Sequence, residues 1–372
     1  VANILGLDLG TSSVKALLID SRQNVIASTT APLALNRSQA GWSEQNPEHW
    51  ISASQDAIDE LKRIDATAVS GVAGIGLSGQ MHGATLLDSA DQVLRPAILW
   101  NDARSYEQAA ALDAKPEFRR ITGNIVFPGF TAPKIAWVNA HEPRIFNSTR
   151  TVLLPKDFLR LWLTGEKISD MSDASGTSWL DVGKRRWSEQ LLAATGLSVA
   201  AMPALVEGTD PAGQLRTELR QRWGMTGATV IVAGGAGDNA ATACGLGIVD
   251  DGTAFVSLGT SGVLFAANNA YRPAPESAVH CFCHALPNTW HQMGVVLSAT
   301  DSLNWYAGLV GQEPAELTKA LGDNEITPGS VTFLPYLSGE RTPHNEARAM
   351  GAFIGLSHSD DQQSLTRAIL IG

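Results

Sequence analysis

The sequence predicts an α/β fold made of two related halves, the second of them incomplete. Three observations carry that expectation. A phrase is written twice, first as Leu9-Gly10-Thr11-Ser12-Ser13-Val14 and again as Leu258-Gly259-Thr260-Ser261-Gly262-Val263. Each copy lies between two apolar runs of strand character, Ile4 to Asp8 and Val14 to Ile19 in the first, Ala254 to Ser257 and Val263 to Ala267 in the second. The length, 372 residues, exceeds the size at which a single hydrophobic core stops growing, so two domains are expected.

In the first half a third strand is expected around Val25 to Ala31. Asn46 then offers an N-cap and Pro47 a first helical position, and Trp50, Ala53, Ala57, Leu61 and Ile64 recur at the spacing of one apolar helix stripe. A buried strand follows from Gly71 to Leu77. Further on, Ala97 to Leu99 reads as a strand, Lys156 to Thr164 as a helix, and Ser169 to Ser175 as a loop rich in Ser and Asp. The second half repeats the opening, adds strand candidates at 279–286 and 290–297 and a helix at 299–309, and begins another helix at 362–370. The domain boundary falls among the glycines and acids of 245–252, giving domains 1–247 and 248–372. Three strands, a helix and a strand in that order resemble the opening of the ribonuclease-H-like fold, which actin-like ATPases carry twice. The chain stops at Gly372 inside a helical pattern, which is why the second domain is expected to be incomplete.

Composition excludes some partners. There are 27 basic against 37 acidic residues and a net charge of −10, which argues against nucleic acid. No apolar run is long enough to cross a membrane, and the N-terminus enters a strand without a charged flank and apolar leader, so a soluble, cytoplasmic protein is expected. A homodimer is compatible with the sequence. The three cysteines, Cys244, Cys281 and Cys283, suit a reducing compartment. In His280-Cys281-Phe282-Cys283-His284, alternation along a strand would put the thiols and the imidazoles on opposite faces, which favours buried thiols over a zinc site.

A Gly-Thr-Ser turn between strands can present backbone N–H groups and two hydroxyls in one concavity, which is what a phosphate oxygen needs. Gly10, Thr11 and Ser12 are thus one candidate phosphate site, and Gly259, Thr260 and Ser261 the other. Asp8, just before the first turn, is a candidate ligand for a divalent ion on those phosphates, or a turn-initiating acid. Lys15 could reach back to a phosphate, or lie on the surface. Asp238, where an apolar strand and glycines run into a small-residue helix, is a candidate general base, an N-cap, or both. Gln80, Met81 and His82 follow the buried strand on a glycine-flanked loop, and Asn101, Asp102 and Arg104 follow the strand at 97–99. Such strand-end loops are where α/β domains bind ligands, and these side chains suit a molecule rich in hydroxyls. An Asp capping the next helix is the alternative for that second group.

Together these residues resemble the FGGY family of carbohydrate kinases. Gly6-Leu7-Asp8-Leu9-Gly10-Thr11-Ser12 and Ser257-Leu258-Gly259-Thr260-Ser261-Gly262 are similar to its two phosphate motifs, and Gly129 to Val138 to its first signature. Gly79-Gln80-Met81-His82-Gly83, Gly237-Asp238-Asn239-Ala240-Ala241 and Pro335 to His344 are most similar to its xylulose-phosphorylating branch. The resemblance implies ATP-dependent phosphorylation of D-xylulose to D-xylulose 5-phosphate, with sugar and ATP as the small-molecule partners. It implies that Met81, His82 and Asn239 lie at the sugar, that Asp238 is the base, and that Asp8 positions Mg²⁺. Members of the family continue beyond this length with a glycine-rich adenosine loop, so the present length is expected to bind ATP poorly.

Overall fold

A computed structural model describes residues 2–322 and 327–371; Gly372, where the last helical pattern stops, lies outside the described residues. The chain divides into two compact units. The first takes the residues up to Asp251 together with Ala267–Tyr271 and Cys281–His291, and the second the remainder.

The first unit is built on a seven-stranded sheet. Strands β1 (Asn3–Leu9), β2 (Ser13–Ile19) and β3 (Val25–Pro32) form an antiparallel meander. Helix α1 (Pro47–Ile64) crosses over to β4 (Val72–Gly79), which returns parallel to β1. After α2 (Thr131–His141), α3 (Pro155–Thr164) and the short α4 (Met171–Ser175), the chain adds β5 (Pro211–Gln214), β6 (Ile231–Ala233) and β7 (Ala236–Gly237). The order is β5-β6-β4-β1-β2-β3, with β7 also beside β4 and both β6 and β7 parallel to it. The expected sequence of three strands, a helix and a strand is present.

Alternation decides which face of the meander is core. Leu5, Leu7 and Leu9 of β1 and Val14, Ala16 and Leu18 of β2 point to one side and are buried under α1. The α1 stripe meets them with Trp50, Ala53, Ala57, Ile58 and Leu61, while Ile64, expected at its end, is exposed because the helix runs past the sheet. Asn46 caps α1 through a bond from Glu48 N at 3.1 Å, and Trp50 donates its indole N–H to Gln45 Oε1 at 2.9 Å.

Residues 169–175 correct the loop expectation. They end a strand at Ile168–Asp170 and form α4, and every residue from Ser169 to Ser175 is buried. Their acids Asp170 and Asp173 lie against Lys156 of α3, a tertiary contact that polarity within the segment does not show.

In the second unit, β8 (Ala254–Leu258) and β9 (Gly262–Asn268) form an antiparallel hairpin around the second Gly-Thr-Ser turn. The strands expected at 279–286 and 290–297 form at His280–Cys283 and Trp290–Val296, of which Cys281–Cys283 and Trp290–His291 fall in the first unit. Helices α6 (Thr300–Val310) and α7 (Gln362–Ile371) and the strand pair Thr332–Leu334 and Ala352–Ile354 surround a small core containing Tyr306, Phe333 and Ile369. Among the described residues no helix is long and apolar enough to cross a membrane.

Candidate active site

Strands β1, β4 and β7 run parallel and aligned, with Asp8 beside Ser78 and Ser78 beside Ala236, then Leu9 beside Gly79 and Gly79 beside Gly237. Their carboxyl ends therefore deliver three segments to one edge of the sheet. These are the turn Gly10–Ser12, the loop that starts at Gln80, and Asp238, the first residue of α5 (Asp238–Gly245). Ligands of open α/β sheets bind at such edges.

Asp238 is not the cap of its helix. Gly237 holds the N-cap position, and the Asp238 carboxylate turns to its neighbour, Oδ1 accepting from Asn239 N at 2.8 Å and Asn239 Nδ2 at 3.1 Å. Among the described residues Oδ2 has no protein donor. The side chain keeps accessible surface yet lies crowded by protein. Burial pushes its carboxyl up to about 6, the Asn239 bonds pull against this, and the negative charge of Asp8 adds to it. Such a group is ionised at neutral pH and basic enough to accept a hydroxyl proton.

Asp8 and Lys15 stand directly opposite each other on β1 and β2, on the sheet face away from α1, and both are exposed. They line a recess of about 580 Å³ that continues past Ser78 to Ala241 and Gly245 of α5. A larger hollow of about 870 Å³ lies elsewhere on this unit, near Arg185 and Trp187, but Arg185 is already paired with Glu207 and Asp181 with Lys184. The recess beside the sheet is the one that Asp8 lines.

Both Gly-Thr-Ser turns are tethered by their carbonyls. In the first, Gly10 O accepts from Gln80 Nε2 at 3.3 Å, Thr11 O from Gln45 Nε2 at 2.7 Å, and Ser12 O from Leu33 N at 2.8 Å. In the second, Gly259 O accepts from Thr300 N at 3.0 Å and Thr300 Oγ1 at 2.6 Å, and Thr260 O accepts from Ala299 N at 2.8 Å, so the entry to α6 anchors it. Among the described residues, the amide N–H groups of Thr11, Ser12, Thr260 and Ser261 have no protein acceptor. With carbonyls tied inward, the polarity each turn offers is positive, which suits phosphate oxygens.

Met81 is buried with Phe130 and Phe282, and a side chain on Gly237 would come within 2.8 Å of its sulfur, so the loop packs directly against the backbone that leads to Asp238. His82 adopts a left-handed backbone with φ of 69°. Its carbonyl accepts from Lys134 Nζ at 2.8 Å and Thr131 Oγ1 at 3.1 Å, and its ring stacks on Phe130 with centroids 4.5 Å apart. The ring Nδ1 lies 2.8 Å from Gly176 O; a carbonyl only accepts, so Nδ1 carries a proton. Lys134 is fully buried and also donates to Gly129 O at 2.6 Å. Burial holds its pKa well below the usual lysine value, against the attraction of Asp102.

Three expected ligand residues have other work. Asp102 is 1 % exposed and Arg104 9 %. Asp102 accepts from Ser43 N at 2.6 Å and from Arg104 Nε and Nη2 at 2.9 and 2.7 Å, and Arg104 also pairs with Glu44 at 2.7 Å and covers the Trp42 ring. Their partners lie some sixty residues upstream, which the local pattern at 100–104 does not reveal. Gln80 is 3 % exposed, and its amide bonds Gly10 O, Thr11 Oγ1 and Gln45 Oε1, so it supports the first turn. Asn101 is exposed beside a shallow hollow formed with Gly41, Trp42 and Ser43. Sequence reasoning passed over Trp100, whose indole donates to Thr11 Oγ1 at 2.9 Å, together with Gln45 and Lys134. Cys281 and Cys283 are buried and not joined in a disulfide, and burial pushes the Cys283 thiol up to about 12.

Comparison with known proteins agrees with this arrangement. Residues 3–245 match the N-terminal domain of the FGGY family of carbohydrate kinases and residues 254–372 its C-terminal domain. Both domains of the family are represented in the chain. The xylulose kinase of Klebsiella pneumoniae is 53% identical over 371 residues, and that of Escherichia coli (strain K12) 52% over 372; each alignment covers 99% of this chain and 76% of the relative. The crystal structure of a xyloylose kinase from Brucella ovis superposes with a TM-score of 0.96 at 64% identity, again over 99% of this chain and 76% of the other. The chain belongs to the FGGY family of carbohydrate kinases.

Proposed function

We propose that the chain transfers the γ-phosphoryl group of ATP to a hydroxyl of D-xylulose, giving D-xylulose 5-phosphate and ADP. The observation that carries the chemistry is Asp238, a carboxylate at the meeting of three strand ends, raised to about 6 and with one oxygen uncommitted. The xylulose kinase relatives support the choice of sugar.

Oδ1 of Asp238, fixed by Asn239, sets the carboxylate plane, and Oδ2 takes the proton of the attacking hydroxyl. That oxygen forms its bond to the γ-phosphorus as the bond to the β–γ bridging oxygen breaks, and the electron pair leaves with ADP. Met81 and His82 line the sugar side. Asn239 joins them from α5. The N–H groups at Gly10–Ser12 and Gly259–Ser261 receive phosphate oxygens, and Lys15 adds charge beside the first turn. Domain 1–247 thus supplies the sugar side, the first phosphate turn and the base, and domain 248–372 the second turn. Asp8 fits as a ligand of Mg²⁺, since its exposed carboxylate stands close enough to Asp238 for the two charges to repel, a repulsion that a divalent ion would relieve; when bound, the ion would neutralise phosphate charge.

A panel of D-xylulose, D-ribulose, gluconate and glycerol assayed with ATP and Mg²⁺ tests this directly. The highest kcat/KM is expected with D-xylulose, and faster turnover of any other member overturns the substrate assignment.

A further inference from the structure

Helix α3 carries two cations one turn apart, Lys156 and Arg160, and buries both completely. At positions i and i+4 they share a helix face, and helices rarely bury charge there without a use for it. Arg160 sends Nη1 to Ala233 O at 2.5 Å, Nη2 to Gly234 O, and Nε to Ile168 O at 3.2 Å. Its fork therefore grips the backbone where β6 ends. Lys156 reaches Asp157 Oδ1 at 2.6 Å and Asp170 Oδ2 at 2.8 Å. Asp170 Oδ1 accepts the Ser172 hydroxyl at 2.5 Å, and Ser172 Oγ in turn accepts the Gly237 N–H at 3.1 Å. Gly237 is the residue before Asp238, so both ends of segment 233–237 are tied to one face of α3.

The ligand oxygens of Asp157, Asp170 and Asp173 lie within 4.8 Å of one another, close enough to hold a metal ion. Lys156 Nζ sits among them at 2.6, 2.8 and 3.6 Å and takes the place an ion would need. Burial raises the Asp173 carboxyl well above its ordinary value, while Lys156 pulls against this. With Lys156 at its centre, the cluster is suited to holding geometry.

We propose that Lys156, Arg160, Asp170 and Ser172 are positioning residues that fix the direction of the Asp238 carboxylate by bracing the backbone at 233–237. This rests on the reading of Asp238 as the base.

Ser172→Ala removes one hydroxyl from the brace. A roughly tenfold fall in kcat for D-xylulose is expected with sugar KM unchanged, the signature of a displaced catalytic group, and Ser172→Thr should recover most of it. Arg160→Lys, which loses the fork on Ala233 and Gly234, should show the same split between kcat and KM and gives a second reading if the first variant folds poorly. Both are repeated in an Asp238→Asn background, with product followed by mass spectrometry over long incubations, where no further loss is expected. Wild-type kcat in both variants overturns the brace, as does an equal loss with and without Asp238. Wild-type turnover by Asp238→Asn alone instead removes the base, and the two failures are told apart in one set of assays.

Discussion

At the scale of single residues, Asp238 should reveal itself through pH. Its carboxyl titrates near 6 in the folded chain against 3.8 unperturbed, so the native state binds that proton more tightly than the unfolded chain does. Stability from this group is present below the unfolded value and is lost as pH rises toward 6. Asp238→Asn should therefore unfold at a higher temperature than wild type near about pH 7.5, with the gap closing toward about pH 4, while turnover drops by orders of magnitude. Scanning calorimetry at both pH values checks the first part, and an unchanged midpoint at the higher pH would contradict it. For the wild type, kcat/KM should fall below pH 6 as Oδ2 takes up the proton. A Cβ at Gly176 would lie 2.4 Å from the His82 ring, so Gly176→Ala should raise the KM for D-xylulose more than that for ATP. Asp8 and Asp238 were legible because each stands where an apolar strand gives way to glycine. Asp102 and Arg104 were misread because Ser43 and Glu44, which occupy them, are distant in sequence. Lys156 and Asp170 escaped notice because their pairing comes from the packing of α3 against the end of the next strand, not from the pattern within either segment.

At the scale of elements, local pattern was a good guide wherever the residues that decide a segment lie inside it. The meander, the capped α1 and both hairpins follow from alternation, the Asn46-Pro47 cap and the repeated turn. α4 did not, since burying Asp170 and Asp173 is favourable only with the α3 cations alongside. The first turn is likewise an assembly of distant parts, joined through Gln80 from the end of β4 and Gln45 from before α1. Gln80→Leu leaves Gly10 O and Thr11 Oγ1 without these partners, a cost of about 1–3 kcal/mol in stability. It should raise the KM for ATP severalfold while the sugar KM changes little; a selective rise in sugar KM would return Gln80 to the sugar side.

At the scale of the molecule, each unit holds one Gly-Thr-Ser turn on its own scaffold, the first on Gln80, Gln45 and Leu33, the second on the start of α6. The sugar side proposed for the first unit predicts that D-xylulose alone protects the fold. At a hundredfold excess over its Kd, stability should rise by about 2.7 kcal/mol, read as a shift in the denaturant midpoint, whereas a sugar that is not a substrate should give no shift. The duplication was visible in the sequence; the separate anchoring of each copy was not, because it depends on tertiary neighbours. That anchoring has an electrical consequence. A tight turn is normally free to flip a peptide plane, exchanging an inward N–H for a carbonyl and reversing the sign of the local dipole. Here a flip would have to break bonds to Gly10 O, Thr11 O or Ser12 O in one turn, or to Gly259 O or Thr260 O in the other. Each turn thus resists reversal of its dipole, because inversion costs these bonds.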